Sequence, residues 1–215
     1  ATLMAATLAV AGLVPAPVAP PVPAAQPPTP IEVMALPEPL RQQFHAKVLS
    51  TPRGSEQRLR RMVEFLFSPD DLGMSYDIDA NHTVSEAYAT RKANCLSFTL
   101  LAIALAREAG LQAYGQQIDE TLAWRQEQDT LYRTNHVNAG VRIPDRLLTV
   151  DVAWDEVIAR KPPRRISDKR LLVHYYNNRA ADLLEAGRLE DALRYAEVAK
   201  AMDPGYAVTW SNTGV

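Results

Sequence analysis

The sequence predicts an α+β fold in which a buried helix packs on an antiparallel sheet and a helical segment follows. Three observations support it. Residues 96–109 are apolar nearly all round, as a helix at the centre of a domain requires. After them come stretches of strand length at 111–118, 134–143 and 147–154, the last two alternating apolar and polar positions. Beyond residue 167 the small and apolar residues return to a helical spacing. With 47% hydrophobic and 22% charged residues, the 215-residue chain has material for one core and a small appendage. A formal net charge of −2 gives no reason to expect nucleic acid or an anionic membrane surface as partner.

The N-terminus follows different rules. Residues 1–14 are nearly all apolar, and half of residues 15–30 are proline. Such a run reads as the remnant of a signal-peptide apolar region followed by a semi-rigid polyproline spacer. Val22-Pro23-Ala24 offers suitable residues for cleavage. Residues 1–30 are therefore set aside as leader and linker, and the protein is expected to be exported, periplasmic or extracellular. An uncleaved N-terminal anchor is the alternative, although the run falls short of the roughly 20 residues that span a bilayer. No cysteine follows it, so a lipoprotein anchor is not expected.

The core is expected over residues 37–166. Leu40, Phe44 and Val48 mark an amphipathic turn or two after Pro37 and Pro39. Ser55 opens a longer helix with Leu59, Met62, Val63 and Leu66 on one side, closing before Pro69. Thr83-Val84-Ser85-Glu86 is a capping box for a helix ending near Arg91. Asn94 is a good N-cap for the apolar helix, and Gly110 suits the position just past its end. Gln116 and Gln117, near the end of the first strand, could line a cleft but read more readily as surface residues.

Cys95 is the only cysteine, and it falls in the first turn of the apolar helix. Free N–H groups and the helix dipole there favour a thiolate in general. Some forty residues on, Thr134 to Ile143 alternates as a strand carrying His136. Pro144-Asp145-Arg146 is turn chemistry, and the next alternating stretch holds Asp151 among apolar residues. A two-residue hairpin loop would put His136 and Asp151 on one face, opposite or diagonal to each other. A three-residue loop would turn one of them away unless a bulge restored the register. Cysteine, histidine and carboxylate in this order suit a thiol–imidazole–acid triad. Cys95 would be the nucleophile, His136 its base and Asp151 the acid that fixes the imidazole.

Asn94-Cys95-Leu96-Ser97-Phe98-Thr99, Asn135-His136-Val137-Asn138 and Val150-Asp151 resemble the three core motifs of the bacterial transglutaminase-like superfamily. Leu72 to Asp77 and Thr83 to Tyr88 resemble its lead-in to the cysteine, so the likeness covers about residues 55–165. The resemblance implies a papain-like core and assigns Cys95, His136 and Asp151 as its catalytic residues. One departure is Lys92-Ala93, where many such sequences carry a glycine. The superfamily holds cross-linking enzymes, proteases, amidases and inactive members.

In residues 168–215, Tyr176, Ala180, Leu183, Gly187, Ala192, Tyr195, Ala196, Ala199 and Pro204 resemble a tetratricopeptide repeat. Ala207, Trp210 and Gly214 resemble the start of a second. Such repeats imply a peptide partner. Other signals point away from further chemistry. Asp77, Asp79 and Asn81 mimic a calcium loop, but His82 stands where glycine is needed and Tyr88 where the bidentate glutamate belongs. His45, His82 and His174 lack metal-ligand spacing, and there is no Gly-rich phosphate loop. No cofactor and no metal are expected. The sequence thus reads as a triad enzyme acting on amide bonds of a peptide or protein. The alternatives are a non-catalytic periplasmic peptide-binding scaffold and a redox-sensing thiol.

Overall fold

The computed structural model describes residues 26–51, 54–127, 130–152 and 162–213. The expected leader, residues 1–24 with its cleavage site, lies outside them, as do Trp154 and Gly214. The fold is α+β. Among the described residues no helix is long and apolar enough to cross a membrane.

The folded unit begins ahead of the boundary expected at residue 37. Thr29 and Glu32 form a capping box around helix α1, Pro30–Met34, which has proline in its first turn. Val33 of this helix is fully buried, and Tyr176 donates a 2.6 Å hydrogen bond to the Pro28 carbonyl. The proline-rich composition masked a start signal that differs from the spacer only in its Thr-x-x-Glu spacing.

Helix α2, Glu38–Phe44, runs into a π-helical turn, His45–Leu49, and buries Leu40, Phe44 and Val48. Helix α3, Ser55–Phe67, buries Leu59, Met62, Phe65 and Leu66 and stops before Pro69. A short strand β1, Ser75–Tyr76, follows. Helix α4, Val84–Thr90, carries the expected box between Thr83 and Glu86. Strand β2, Lys92–Ala93, pairs in parallel with β1 and delivers the chain to helix α5, Cys95–Glu108. From Leu96 to Ala106 every residue of α5 is buried, so this helix is the core's axis.

The sheet is antiparallel. Strand β3, Gln112–Glu127, is longer than the 111–118 stretch predicts; β4, Thr130–Ile143, returns beside it, and β5, Arg146–Val150, closes a hairpin. Strand β6, Arg164–Ile166, adds to the far edge, giving the order β5-β4-β3-β6. Pro144 and Asp145 form the two-residue loop, with Ile143 facing Arg146 across it and Asp145 at φ 64°. Gln116 and Gln117 are only 3% and 9% exposed, so their assignment to the surface is corrected. Both β3 faces are covered there. The Thr149 hydroxyl donates to Gln116 Oε1, and His174 of the helical segment meets Gln117.

Helices α6, Asp168–Glu185, and α7, Leu189–Met202, form a hairpin, and α8, Ala207–Thr213, folds back against both. Gly187 takes φ 72° after α6, where Gly187 N–H reaches Leu184 O and Arg188 N–H reaches Leu183 O. That pair of bonds ends a helix on a left-handed residue, which glycine adopts at least cost. The hairpin is not a separate lobe. Leu171, Val173, Tyr175 and Tyr176 are at most 1% exposed and join one apolar cluster with α5 and the sheet. Gly115 on β3 admits this approach: a Cβ there would lie 2.7 Å from Leu171 Cδ1.

Candidate active site

The Cys95 helix is positioned by its own cap. Asn94 has an extended backbone and its Oδ1 accepts the Ser97 N–H at 2.9 Å, placing Cys95 at the first helical position. Ahead of it, the left-handed residue is Arg91, at φ 60°. Ala93 lies fully buried in β2 with no positive φ, so the chain enters α5 without needing a glycine at that point. Ser97 fastens the preceding loop, donating to Ala80 O and accepting from His82 N–H.

Strand β4 brings up the histidine. Thr99, one turn into α5, donates to the carbonyls of Cys95 at 2.6 Å and Val137 at 3.2 Å. This bridge ties the Cys95 turn to the residue beside His136. With the two-residue loop, Asn138 comes opposite Asp151 and His136 lies diagonal to it on the same face. Asp151 stands just past β5, not in the middle of a strand as its sequence context suggests. The end of pairing leaves its carboxylate able to turn across to His136.

His136 Nε2 lies 2.6 Å from Asp151 Oδ2, and their side chains are only 5% and 9% exposed. Asn138 Nδ2 donates to the same oxygen at 3.1 Å. Cys95 lies near enough to the ring to favour its protonated form. With Nε2 committed to Asp151, Nδ1 is the ring nitrogen left for the thiol. Burial works against charge on His136. The hydrogen bonds to Asp151 and Cys95, with the charges of both, outweigh it and push His136 up to about 9. The imidazole therefore holds its proton at neutral pH.

Cys95 is half-buried, and a cleft of about 220 Å³ opens beside it. Asn94, Leu96 and Val137 line one side and His174, Asn178 and Tyr206 of the helical segment the other. All three expected site residues thus meet at one place. The other histidines do not join them. His45 Nε2 lies 2.6 Å from Glu108, and His82 contacts Lys92 O and Thr90. His174 lines the cleft, but burial and then the charges of Arg170 and Arg164 lower it to about 4. It is a neutral wall residue at pH 7.

Neither protein-family models, nor curated proteins, nor solved structures match the chain. The likeness of its motifs to transglutaminase-like proteins rests on those motifs alone.

Sequence reasoning missed Asn138 and Thr99 as positioning groups. Asn138 sits two residues from His136 on the same strand face, a spacing that could have exposed it. Asp77 is engaged by Lys92 Nζ at 3.0 Å and by the Asp79 N–H, which hold its carboxyl below the ordinary range. Among the described residues, no group of three or more His, Cys, Asp or Glu side chains converges to hold a metal ion.

Proposed function

We propose that the protein is a cysteine enzyme of transglutaminase-like type, acting on amide bonds of a peptide or protein by hydrolysis or acyl transfer. The single observation that carries this is His136, whose Nε2 lies 2.6 Å from the buried Asp151 carboxylate and whose basicity Cys95 also raises, while Cys95 itself lines a cleft. A purely structural histidine has no need of both partners and a solvent-reached thiol together.

In the proposed reaction the Cys95 sulfur attacks the amide carbonyl while His136 carries the thiol proton. The Cys95 N–H, at the first position of α5, has no acceptor within the helix and is suited to the developing oxyanion. His136 then gives its proton to the departing nitrogen, and the C–N bond breaks to leave a thioester. Water or an amine attacks that thioester, passing a proton to His136, and the C–S bond breaks to restore the thiol. Asp151 holds the imidazole and supports its positive charge throughout. Asn138 donates to Asp151, which favours the ionised carboxylate.

The papain-like reading of the core is supported by a cysteine helix packed on antiparallel strands, one carrying the histidine and the next ending just before the acid. For the helical segment, the tetratricopeptide reading is supported by Gly187 in its turn and by the packing of Ala180, Ala192, Ala196 and Ala199. Export remains part of the proposal and rests on the apolar and proline-rich N-terminus. The test is covalent: the full chain is treated with peptidyl electrophiles that mimic an amide, and the modified residue is mapped. Time-dependent labelling at Cys95 that is lost in His136→Ala, with turnover of some peptide from a mixed library, supports the enzyme. Labelling no faster than that of free cysteine, with no turnover, points to a binding scaffold instead.

A further inference from the structure

The N-cap of the nucleophile helix does not stand alone. Asn94 Oδ1 accepts the Ser97 N–H at 2.9 Å, and Asn94 Nδ2 donates to Asn81 Oδ1 at 2.7 Å. Asn81 Nδ2 in turn donates to both carboxylate oxygens of Asp182, at 3.2 and 3.0 Å. Asn81 and Asn94 are 5% and 6% exposed, so each amide depends on these partners.

The direction of the chain is fixed at both ends. A backbone N–H can only donate, so Asn94 must present its oxygen to Ser97 and its NH₂ to Asn81. Asn81 must then accept with its oxygen, leaving its own NH₂ to be satisfied. An ionised carboxylate is an acceptor only, and Asp182 meets that demand. Asp182 belongs to α6, about one hundred residues along the chain from Asn81, and it lines the cleft together with Asn81, Asn94 and Cys95.

We propose that Asp182 is a positioning residue for Cys95: through Asn81 and Asn94 it locks the first turn of α5, making the helical hairpin part of the active site. The proposal rests on the triad reading above. It assigns the C-terminal helices a role in the chemistry rather than in recruitment alone. If the chain breaks, Asn94 is free to turn, the Ser97 N–H loses its acceptor, and the sulfur leaves its place against His136.

The test uses the full-length protein and iodoacetamide, a small neutral electrophile whose rate reads the thiol without any substrate. Cys95 is the only cysteine, so the thiol adduct, mapped by mass spectrometry, reports on it alone. Asp182→Ala should slow alkylation about fivefold or more, and Asp182→Asn, whose side-chain oxygen still accepts, should restore it to within about twofold. A hairpin residue with a merely structural role would give the opposite sign, because loosening the fold exposes a half-buried thiol and speeds its alkylation. Should Asp182→Ala unfold, the exchanged pair remains informative. Asn81→Asp alone sets two carboxylates together and should be slow; with Asp182→Asn added, the new amide donates to the new acid and the rate should recover. Equal or faster alkylation in Asp182→Ala overturns the proposal, as does an exchanged pair no better than Asn81→Asp. His136→Ala is measured in parallel. An unchanged rate there counts against the triad and not against the Asp182 chain.

Discussion

Replacing His174 by glutamine should remove a weakness that the folded protein acquires in acid. His174 of α6 lies between β3 and Tyr206, with Nε2 3.2 Å from Gln117 Oε1 and its ring edge-on to Tyr206 at 5.7 Å. Burial first, and then the charges of Arg170 and Arg164, take it from 6.5 to about 4. The folded state therefore keeps it neutral, whereas the unfolded chain binds a proton as pH falls through about 6.5. Its contribution is complete above pH 6.5 and is lost as pH falls toward 4. At about 1.4 kcal/mol per unit the full span amounts to about 3.5 kcal/mol; stopping at pH 4.5 and allowing for partial solvent contact brings the expected loss to about 2 kcal/mol. Urea unfolding of the wild type and His174→Gln at pH 7.5 and pH 4.5 measures it. Comparing the two proteins cancels the other titrating groups, including Asp182, whose carboxyl burial raises. The wild type should lose about 2 kcal/mol more than the variant between the two pH values. Equal losses would refute a buried neutral His174.

Other outcomes follow from the same geometry. Asp151→Asn should leave the fold intact and lower turnover by roughly two to four orders of magnitude, since the neutral amide cannot support the imidazolium; steady-state kinetics on a cleaved peptide reads it. Removal of residues from Asp168 onward should give aggregated protein by gel filtration, because it strips Leu171 from β3 and leaves Asn81 without Asp182. Gly115→Ala should destabilise by about 1 to 3 kcal/mol in urea titration, since its Cβ would meet Leu171 and Ile166 at 2.7 and 3.0 Å, and Leu171→Ala should relieve part of that strain.

The parts of this fold that sequence made legible are those set by local chemistry. Thr83 and Glu86 announce α4, Asn94 caps α5, and the all-round apolar run from Leu96 marks the central helix before any tertiary contact is known. The Pro144-Asp145 turn fixes the register that carries His136 to Asp151, although the sequence left the loop length open. What escaped was non-local. Gln116 and Gln117 look like surface residues until α6 covers one face of β3 and Thr149 the other. Asn81 and Asp182 are ordinary polar residues about a hundred positions apart, and neither has a neighbour in sequence that would suggest they meet. The two-residue strands β1 and β2 are too short for any alternation to show. A boundary at residue 37 was suggested by proline content, yet Thr29-Pro30 is itself a helix start.

The most direct measurement is the alkylation rate of Cys95 near neutral pH in the wild type and in His136→Ala. With a single thiol in the chain, iodoacetamide incorporation followed by mass spectrometry gives the rate without ambiguity. An imidazolium held against the sulfur should make the wild-type thiol react much faster at pH 6 to 7 than a free cysteine, and His136→Ala should return it to or below the free rate. His45→Ala and His82→Ala should leave it unchanged. Equal rates in the wild type and His136→Ala, in a variant that still folds, would contradict the pairing of Cys95 with His136 on which the proposed chemistry depends.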